Sequence, residues 1–269
     1  MATPDNKAAV LDILRDILKH LADKHQLDFE YLGSLGIPEL NSKLFDVVFK
    51  GTALEGEGQV VAKSQNCGLT QGLHNFVILL AKHHCSDFVL HVPEKLAPRF
   101  EYAGERGLNI QLYKEGSTPI LAEGDVLVVD PNVVTQTLTP ERVAEINSKQ
   151  VIAMLATDRL CLEGVDKQPL TSLQEVLRVG LLPYTSILAT VENFAFFYDL
   201  STMLGFPGLN TGFTNIRFES AEFAADYERQ MTMYNRLTIS THVKLGDDFL
   251  QVLLTDPHFS QRFASALVN

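Results

Sequence analysis

Two apolar runs on either side of a short helical segment constrain the fold of this sequence more than any other feature. The first, DFVLHV (87–92), is almost wholly apolar, which is typical of a strand covered on both faces. PEKLAPRFEYAGERG then predicts a short helix that ends at Gly107, and LNIQLYK (108–114) alternates as a second strand. Strand, helix and strand in this order predict a right-handed β-α-β unit with parallel neighbouring strands. DVLVVD (125–130) predicts one more strand.

An amphipathic helix is predicted near the amino terminus. Thr3 and Pro4 mark its start, because proline is favoured in the first turn of a helix. Apolar residues recur along one side at helical spacing: Val10, Leu11, Leu14, Ile17, Leu18 and Leu21. This side is therefore expected to face the core.

Three strands and a second helix are predicted next. The strands are LDFEYLG (27–33), LFDVVFK (44–50) and GQVVAKS (58–64), with glycine and proline between them. Their short connections favour antiparallel pairing. The helix is predicted from Thr70 to His84, where apolar residues share one face.

The second half of the sequence is mainly helical in its periodicity. Thr139 with Pro140 predicts the start of one helix, and Ser172 with Glu175 fits a capping box for another. The apolar stretch VGLLPYTSILATVENFAFFYDL predicts a core helix, because proline and acids interrupt it short of a membrane span. The pattern therefore differs from that of the strand-rich first half.

These elements predict an α/β protein in which helices flank a mixed central sheet. Residues 1–135 contain the predicted sheet, and residues 136–269 form a mainly helical region. Because the later helices are able to pack on the sheet, a second domain beginning near residue 135 and a single packed unit both stay open.

The net charge of this chain opposes one class of function. The formal charge is -11 and the pI is about 5.1, whereas a broad face for nucleic acid requires clustered lysine and arginine. The amino terminus has no basic lead followed by a long apolar run, so the expected location is the cytoplasm and no membrane contact is expected. The expected partner is another protein.

The order of elements between residues 7 and 114 resembles the core of the PD-(D/E)XK nuclease superfamily, which has a restriction-endonuclease-like fold. Asp46 in FDVVF matches the first acid of that family, and Lys63 in VVAKS matches its lysine. Gln71 matches a glutamine that some branches carry at the start of the following helix. The resemblance implies that Asp46 is a ligand of a magnesium ion and that Lys63 helps to activate water.

One departure from the family pattern removes a metal ligand. Val61 stands two residues before Lys63, where the family has an acid, and valine offers no oxygen to a cation. Glu57 lies on the same side of an extended strand as Lys63, but six residues place it roughly 20 Å away. The predicted nuclease core is therefore degenerate.

Other motifs give no alternative chemistry. HHC (83–85) does not predict a zinc site, because adjacent helical residues point about 100° apart. GEG (56–58) predicts a turn, since the remaining glycines of a dinucleotide fingerprint are missing. The spacing of Phe223, Tyr227, Met231 and Tyr234 predicts a core helix in preference to a partner groove.

Three functions from different classes follow from the sequence. The first is a non-catalytic interaction or scaffold protein with a degenerate nuclease-like core, in a bacterial or phage cytoplasmic assembly, with no cofactor. The second is a divergent magnesium-dependent nuclease that uses Asp46, Lys63 and an acid from elsewhere, such as Asp16 or Glu30. The third is an enzyme or sensor for a small molecule, with its pocket between the sheet and the later helices.

Overall fold

A seven-stranded sheet with helices on both faces forms the centre of this protein. The computed structural model describes residues 4–24, 33–83, 88–162, 170–238 and 244–268. The strands are β1 (Val61–Asn66), β2 (Val89–Pro93), β3 (Asn109–Tyr113), β4 (Val126–Val129), β5 (Ile152–Thr157), β6 (Phe194–Asp199) and β7 (Gly212–Arg217). The mixed α/β architecture predicted from the sequence is confirmed.

Helices account for most of the remaining described residues. They are α1 (Pro4–Asp23), α2 (Pro38–Val48), α3 (Leu69–His83), α4 (Glu101–Glu105), α5 (Val134–Thr137), α6 (Pro140–Ser148), α7 (Leu173–Leu188), α8 (Leu200–Met203), α9 (Ala221–Thr238), α10 (Lys244–Thr255) and α11 (Pro257–Val268). Within the described ranges, none of these helices is both long and apolar enough to cross a lipid bilayer.

The strand order is β1-β7-β6-β5-β4-β2-β3. Strands β2 to β6 are parallel to one another, whereas β7 is antiparallel to both β6 and β1. Every strand except β7 therefore ends at the same edge of the sheet, which we call the carboxyl edge. Strands from both sides of residue 135 belong to this one sheet.

Two apolar cores lie on the two faces of the sheet. The larger core packs α1, α2, α7, α10 and α11 against one face, and the smaller core packs α3, α4 and α9 against the other. Strand β6 contributes to both cores, since Phe196 faces the larger one and Phe197 the smaller one. Central strands of this kind are apolar on both sides because helices cover both.

Several sequence predictions of local structure are confirmed. Strands β2 and β3 are parallel neighbours, with Val89 opposite Asn109. Thr139 caps α6 by accepting a hydrogen bond from the backbone N–H of Arg142, and Ser172 caps α7 in the same way. These signals are local, so they are independent of how the chain packs.

The strand predicted over residues 44–50 is wrong, because Pro38–Val48 form helix α2. The buried residues of α2 include Leu40, Leu44 and Val48, which recur every four residues and line one helical face. The predicted strand began at Leu44, so it left out the first turn of α2, and the helical period of the apolar residues was not visible. The strand predicted at 27–33 falls on residues that are almost all outside the described ranges.

The core helix predicted across residues 179–200 is also partly wrong. Helix α7 ends at Leu188, and Phe194–Asp199 form β6, a strand that is buried along its whole length. A short apolar run has the same appearance in a buried strand and in a buried helix, so its period does not separate the two. On the face of α9 that was predicted to pack in the core, Met231 is buried but Phe223 is 53% exposed.

Candidate ligand-binding crevice

The carboxyl edge beside β1, β6 and β5 is the candidate functional site. We call it the crevice and define it by Gly68 after β1, Thr157 at the end of β5, Asp199 at the end of β6 and Asn210 before β7. In open α/β sheets, ligands bind outside the carboxyl ends of the strands, because the connecting loops diverge there and leave room. Loops at this edge therefore carry most of the candidate residues.

The turn from β1 into α3 brings a helix start to the crevice. Gly68 has a φ of +83°, a backbone conformation that favours glycine. A methyl group on Gly212 would lie 3.1 Å from the carbonyl carbon of Gly68, so these two backbones are in close contact. The backbone N–H of Cys67 donates to Gln71 Oε1 at 2.9 Å, which fixes the turn. The first N–H groups of α3 are consequently presented at the carboxyl edge.

Asp199 closes the crevice on the β6 side. Its Oδ1 accepts hydrogen bonds from the Ser201 hydroxyl at 2.6 Å and from the backbone N–H of Thr202 at 3.1 Å. Its Oδ2 accepts from the Thr202 hydroxyl at 3.0 Å. A methyl group on Gly68 would lie 3.6 Å from the same Oδ2, which places this carboxylate beside the α3 turn.

The end of β5 contributes two charged side chains that reach solvent. Arg159 is 75% exposed, and its Nε lies 3.8 Å from Asp158 Oδ1. Arg99, from the segment after β2, lies 4.0 Å from the other carboxylate oxygen of Asp158. Thr157 Oγ1 accepts a hydrogen bond from the backbone N–H of Arg159 at 3.2 Å, which holds the chain as it leaves the strand. Two guanidinium groups therefore flank this side of the crevice.

A buried pair of polar side chains lies on β1 and α10, behind the crevice. The Gln65 side-chain amide donates to Asp247 Oδ1, and both residues are almost fully buried. Gln65 Oε1 and Asp247 Oδ2 have no hydrogen-bond partner among the described residues. Burial raises the pKa of Asp247 to about 7; nearby Asp248 adds to the effect, while Gln65 and Lys244 oppose it.

A separate pocket of about 240 Å³ lies at the ends of β2, β3 and β4. The Lys95 ammonium contacts the Asp130 carboxylate there and lies 3.4 Å from Glu115 Oε2. Arg142, on the same wall, contacts Glu145. These two cations are each neutralised by an acid, so the pocket offers little net charge to a ligand.

The structure separates the residues that the sequence predicted as a nuclease site. Asp46 is an exposed residue of α2, whereas Lys63 is on β1. The Lys63 ammonium donates to the Gly58 carbonyl at 2.6 Å and lies 5.3 Å from the centre of the Phe45 ring. The two adjacent strands that the nuclease pattern requires are not formed by residues 44–50 and β1.

The other predicted residues have structural partners. Gln71 binds the backbone of Cys67, as described above. Asp16 on α1 accepts a hydrogen bond from Arg262 at 2.8 Å, which lowers the pKa of Asp16. Glu30 and the HHC histidine and cysteine at 84 and 85 are outside the described residues. Across the described ranges, no group of three or more His, Cys, Asp or Glu side chains is arranged to hold a metal ion.

Sequence reasoning missed the residues that define the crevice. One signal was present, since a glycine lies directly between a strand and a helix in QNCGLTQG (65–72). Asp199 and Asn210 gave no local signal, because their proximity to Gly68 depends on the pairing of β1, β7 and β6.

Comparison with protein-family models finds no match, and comparison with curated proteins finds none either. Comparison with solved structures finds similar folds among aminotransferases. Aspartate aminotransferase from the cytoplasm of Saccharomyces cerevisiae has 16% identity and a TM-score of 0.73, covering 95% of this chain and 66% of that one. The broad specificity aminotransferase from Leishmania mexicana has 13% identity and a TM-score of 0.72, with coverage of 95% and 66%.

A third similar structure contains a cofactor. Aromatic-amino-acid aminotransferase from Burkholderia pseudomallei, covalently bound to pyridoxal phosphate, has 15% identity and a TM-score of 0.70, covering 100% of this chain and 70% of that one. At such identities the likeness establishes the fold alone. The present chain spans about two thirds of the length of the aminotransferases that it resembles.

These comparisons correct the predictions that depended on the nuclease resemblance. The fold is that of aminotransferases, so both the restriction-endonuclease-like assignment and the PD-(D/E)XK resemblance are wrong. The scaffold with a degenerate nuclease core and the magnesium nuclease lose their basis for the same reason. The expectation of no cofactor, or of magnesium, is also wrong, because it depended on the nuclease resemblance. A neighbour of this fold instead holds pyridoxal phosphate.

Proposed function

We propose that this chain binds pyridoxal phosphate, or a small molecule with the same phosphate-bearing aromatic ring, in the crevice. The observation that carries the proposal is the turn from β1 through Gly68 into α3, which presents the start of a 15-residue helix at the carboxyl edge. The aminotransferase fold supports it, because a protein of the same fold binds pyridoxal phosphate. Amino-group transfer is not part of what we propose, because this chain spans only about two thirds of those enzymes.

The phosphate of such a ligand fits the start of α3. Backbone N–H groups and the helix dipole both favour an anion at a helix start. The first turn of α3 carries no acid, so nothing in that turn repels a phosphate. Thr70 in this turn is exposed, and its hydroxyl is free to donate to a phosphate oxygen. Arg159 and Arg99 add positive charge nearby.

The ring of the ligand has candidate partners at the same edge. In pyridoxal phosphate enzymes an aspartate or an arginine commonly pairs with the ring nitrogen. Asp199 accepts three hydrogen bonds, which fix the position of its side chain beside Gly68. We therefore assign the ring to the crevice beside Asp199, on the solvent side of the α3 turn.

Thermal unfolding in the presence of pyridoxal phosphate tests this proposal. A ligand at one hundred times its Kd is expected to raise the apparent stability by about 2.7 kcal/mol, because it binds the folded chain alone. Pyridoxal without phosphate and inorganic phosphate are measured in parallel. Stabilisation by phosphate alone, equal to that by pyridoxal phosphate, would identify an anion site that does not recognise the ring.

A charge change at the start of α3 gives the sharper measurement. Thr70→Glu places an acid where the phosphate is expected, and we expect it to weaken binding at least about tenfold through repulsion. Thr190→Glu is the matched control, since Thr190 is exposed just before the start of β6, at the opposite edge of the sheet. Equal affinities of the two variants for pyridoxal phosphate, or no binding by the unaltered chain, would contradict the proposal.

A further inference from the structure

We infer that this chain holds its ligand without a covalent bond to lysine. The inference rests on the proposed function and concerns how the same crevice acts. A covalent link of the usual kind joins a lysine amine to the aldehyde carbon of pyridoxal phosphate, with loss of one water molecule. It requires a lysine whose uncharged amine reaches the crevice.

The environments of the described lysines disfavour such a link. Those with described side chains are Lys19, Lys24, Lys43, Lys50, Lys63, Lys82, Lys95, Lys114, Lys149 and Lys244. None of these side chains is buried, whereas a reactive lysine is usually desolvated so that its amine loses its proton. Lys63 donates to the Gly58 carbonyl before the start of β1, and Lys149 donates to Glu145 and to the Leu121 carbonyl.

Lys95 follows β2 at the carboxyl edge, but its environment favours the wrong protonation state. The hydrogen bond to Asp130 raises the pKa of Lys95, and Glu115 adds to the effect, despite the opposing influence of burial. Its ammonium is therefore held as a cation between two carboxylates. A protonated amine has no lone pair with which to attack an aldehyde.

Lys244 begins α10, which packs behind the crevice, and it is also held by an acid. Its ammonium donates to both carboxylate oxygens of Asp248, at 2.9 and 3.0 Å. The Asp248 side chain is only 8% exposed, so removing the lysine from it would leave a buried carboxylate without this partner. Releasing Lys244 to a ligand is therefore costly.

The crevice itself offers hydroxyl and carboxylate groups. Thr157, Ser201 and Thr202 supply hydroxyls, and all three already make hydrogen bonds to the chain. Neither a hydroxyl nor a carboxylate forms the carbon–nitrogen double bond that anchors pyridoxal phosphate. The geometry thus favours a ligand that is held by its phosphate and ring and that exchanges freely with solvent.

Reduction with borohydride followed by peptide mass spectrometry tests the inference. Borohydride delivers a hydride to a carbon–nitrogen double bond and water supplies the proton, so any covalent adduct becomes a permanent mark on its lysine. We expect each lysine to be marked no more strongly in the folded chain than the same lysine is in the unfolded chain. Aromatic-amino-acid aminotransferase from Burkholderia pseudomallei, which binds pyridoxal phosphate covalently, is the positive control.

Equilibrium dialysis of pyridoxal phosphate, run alongside, separates the two hypotheses. Binding without a marked lysine supports both the proposed function and this inference. Binding with one lysine marked at about one per chain overturns this inference and leaves the proposed function standing. Lys167→Ala and Lys95→Ala then identify that lysine, since Lys167 is in the segment 163–169 that joins β5 to α7. Absence of binding rejects the proposed function, and this inference with it.

Discussion

Asp247→Asn is expected to stabilise this protein at pH 8 and to reduce the dependence of its stability on pH. Burial raises the pKa of Asp247 from 3.8 to about 7, so the folded chain binds this proton more tightly than the unfolded chain does. The stabilising effect of the proton is complete below pH 3.8 and is lost as the pH rises through 7. The loss amounts to at most about 4 kcal/mol, from about 1.4 kcal/mol for each unit of pKa.

The geometry explains why asparagine is a good replacement. At high pH, Asp247 is a buried carboxylate whose Oδ2 has no hydrogen-bond partner among the described residues, and Gln65 Oε1 lacks one as well. Asparagine is neutral at every pH, and its side-chain oxygen can still accept the hydrogen bond from the Gln65 amide. The pair then keeps this hydrogen bond at every pH, with no buried charge.

Urea unfolding at pH 5 and at pH 8 measures this effect. The unaltered chain should lose stability between the two values, and Asp247→Asn should lose clearly less of it. Asp12→Asn is the matched control, because Asp12 is an exposed aspartate of α1 and its side chain is 62% exposed. Asp248, Lys244 and Cys67 also face Asp247, and they are unchanged in both variants. The same pH dependence in Asp247→Asn and in the control would refute the expected role of this proton.

Asp125→Ala is expected to reduce the free energy of unfolding by about 3 to 5 kcal/mol, a loss typical of removing one member of a buried charged network. The Asp125 carboxylate accepts hydrogen bonds from the backbone N–H groups of Val89 and Ala122, at 2.8 and 2.7 Å. It also lies 2.8 Å from His91 Nε2, and the side chains of both residues are at most 3% exposed. Alanine leaves the buried His91 imidazole and two part-buried backbone N–H groups without this partner.

The dependence of the unfolding free energy on pH in the acid range gives a second measurement of the role of Asp125. Burial alone raises the pKa of this carboxyl, but the N–H groups of Ala122 and Val89, together with His91, outweigh it, so the pKa is lowered. A lowered pKa means that Asp125 stabilises the fold above pH 3.8, and this stabilisation is lost as the pH falls through the lower value in the folded chain.

The matched variant at this site is Asp125→Asn, which keeps one acceptor oxygen and should therefore lose less stability than alanine. Urea unfolding at pH 7 compares the two. A loss below about 1 kcal/mol for Asp125→Ala would show that water replaces the carboxylate, and it would contradict the predicted role of the network.

The parts of the fold that the sequence predicted well depend on contacts between near neighbours. Helix α3 and the caps at Thr139 and Ser172 follow from residues within a few turns of each other. The parallel pair β2 and β3 follows from the order of consecutive elements in one β-α-β unit. The segment at 44–50 failed because its helical period begins at Pro38, outside the window that was considered.

The site was much less predictable than the fold. Asp46, Lys63 and Gln71 were selected by the order of elements along the chain, which many α/β folds share. Gly68, Asp199 and Asn210 meet because β7 inserts between β1 and β6, and β1 is more than a hundred residues away from both in the sequence. The predicted protein partner, and a domain boundary near residue 135, stay predictions.

By itself, the sequence determined that this chain builds helices over a buried mixed sheet, because hydrophobic period, caps and turn residues act within a few residues. Only the tertiary structure decided the strand order, and with it the identity of the crevice. The order depends on which apolar faces bury each other across long separations, and no local pattern records that choice. The same packing decided that Lys95 and Lys244 are held in ion pairs with Asp130 and Asp248.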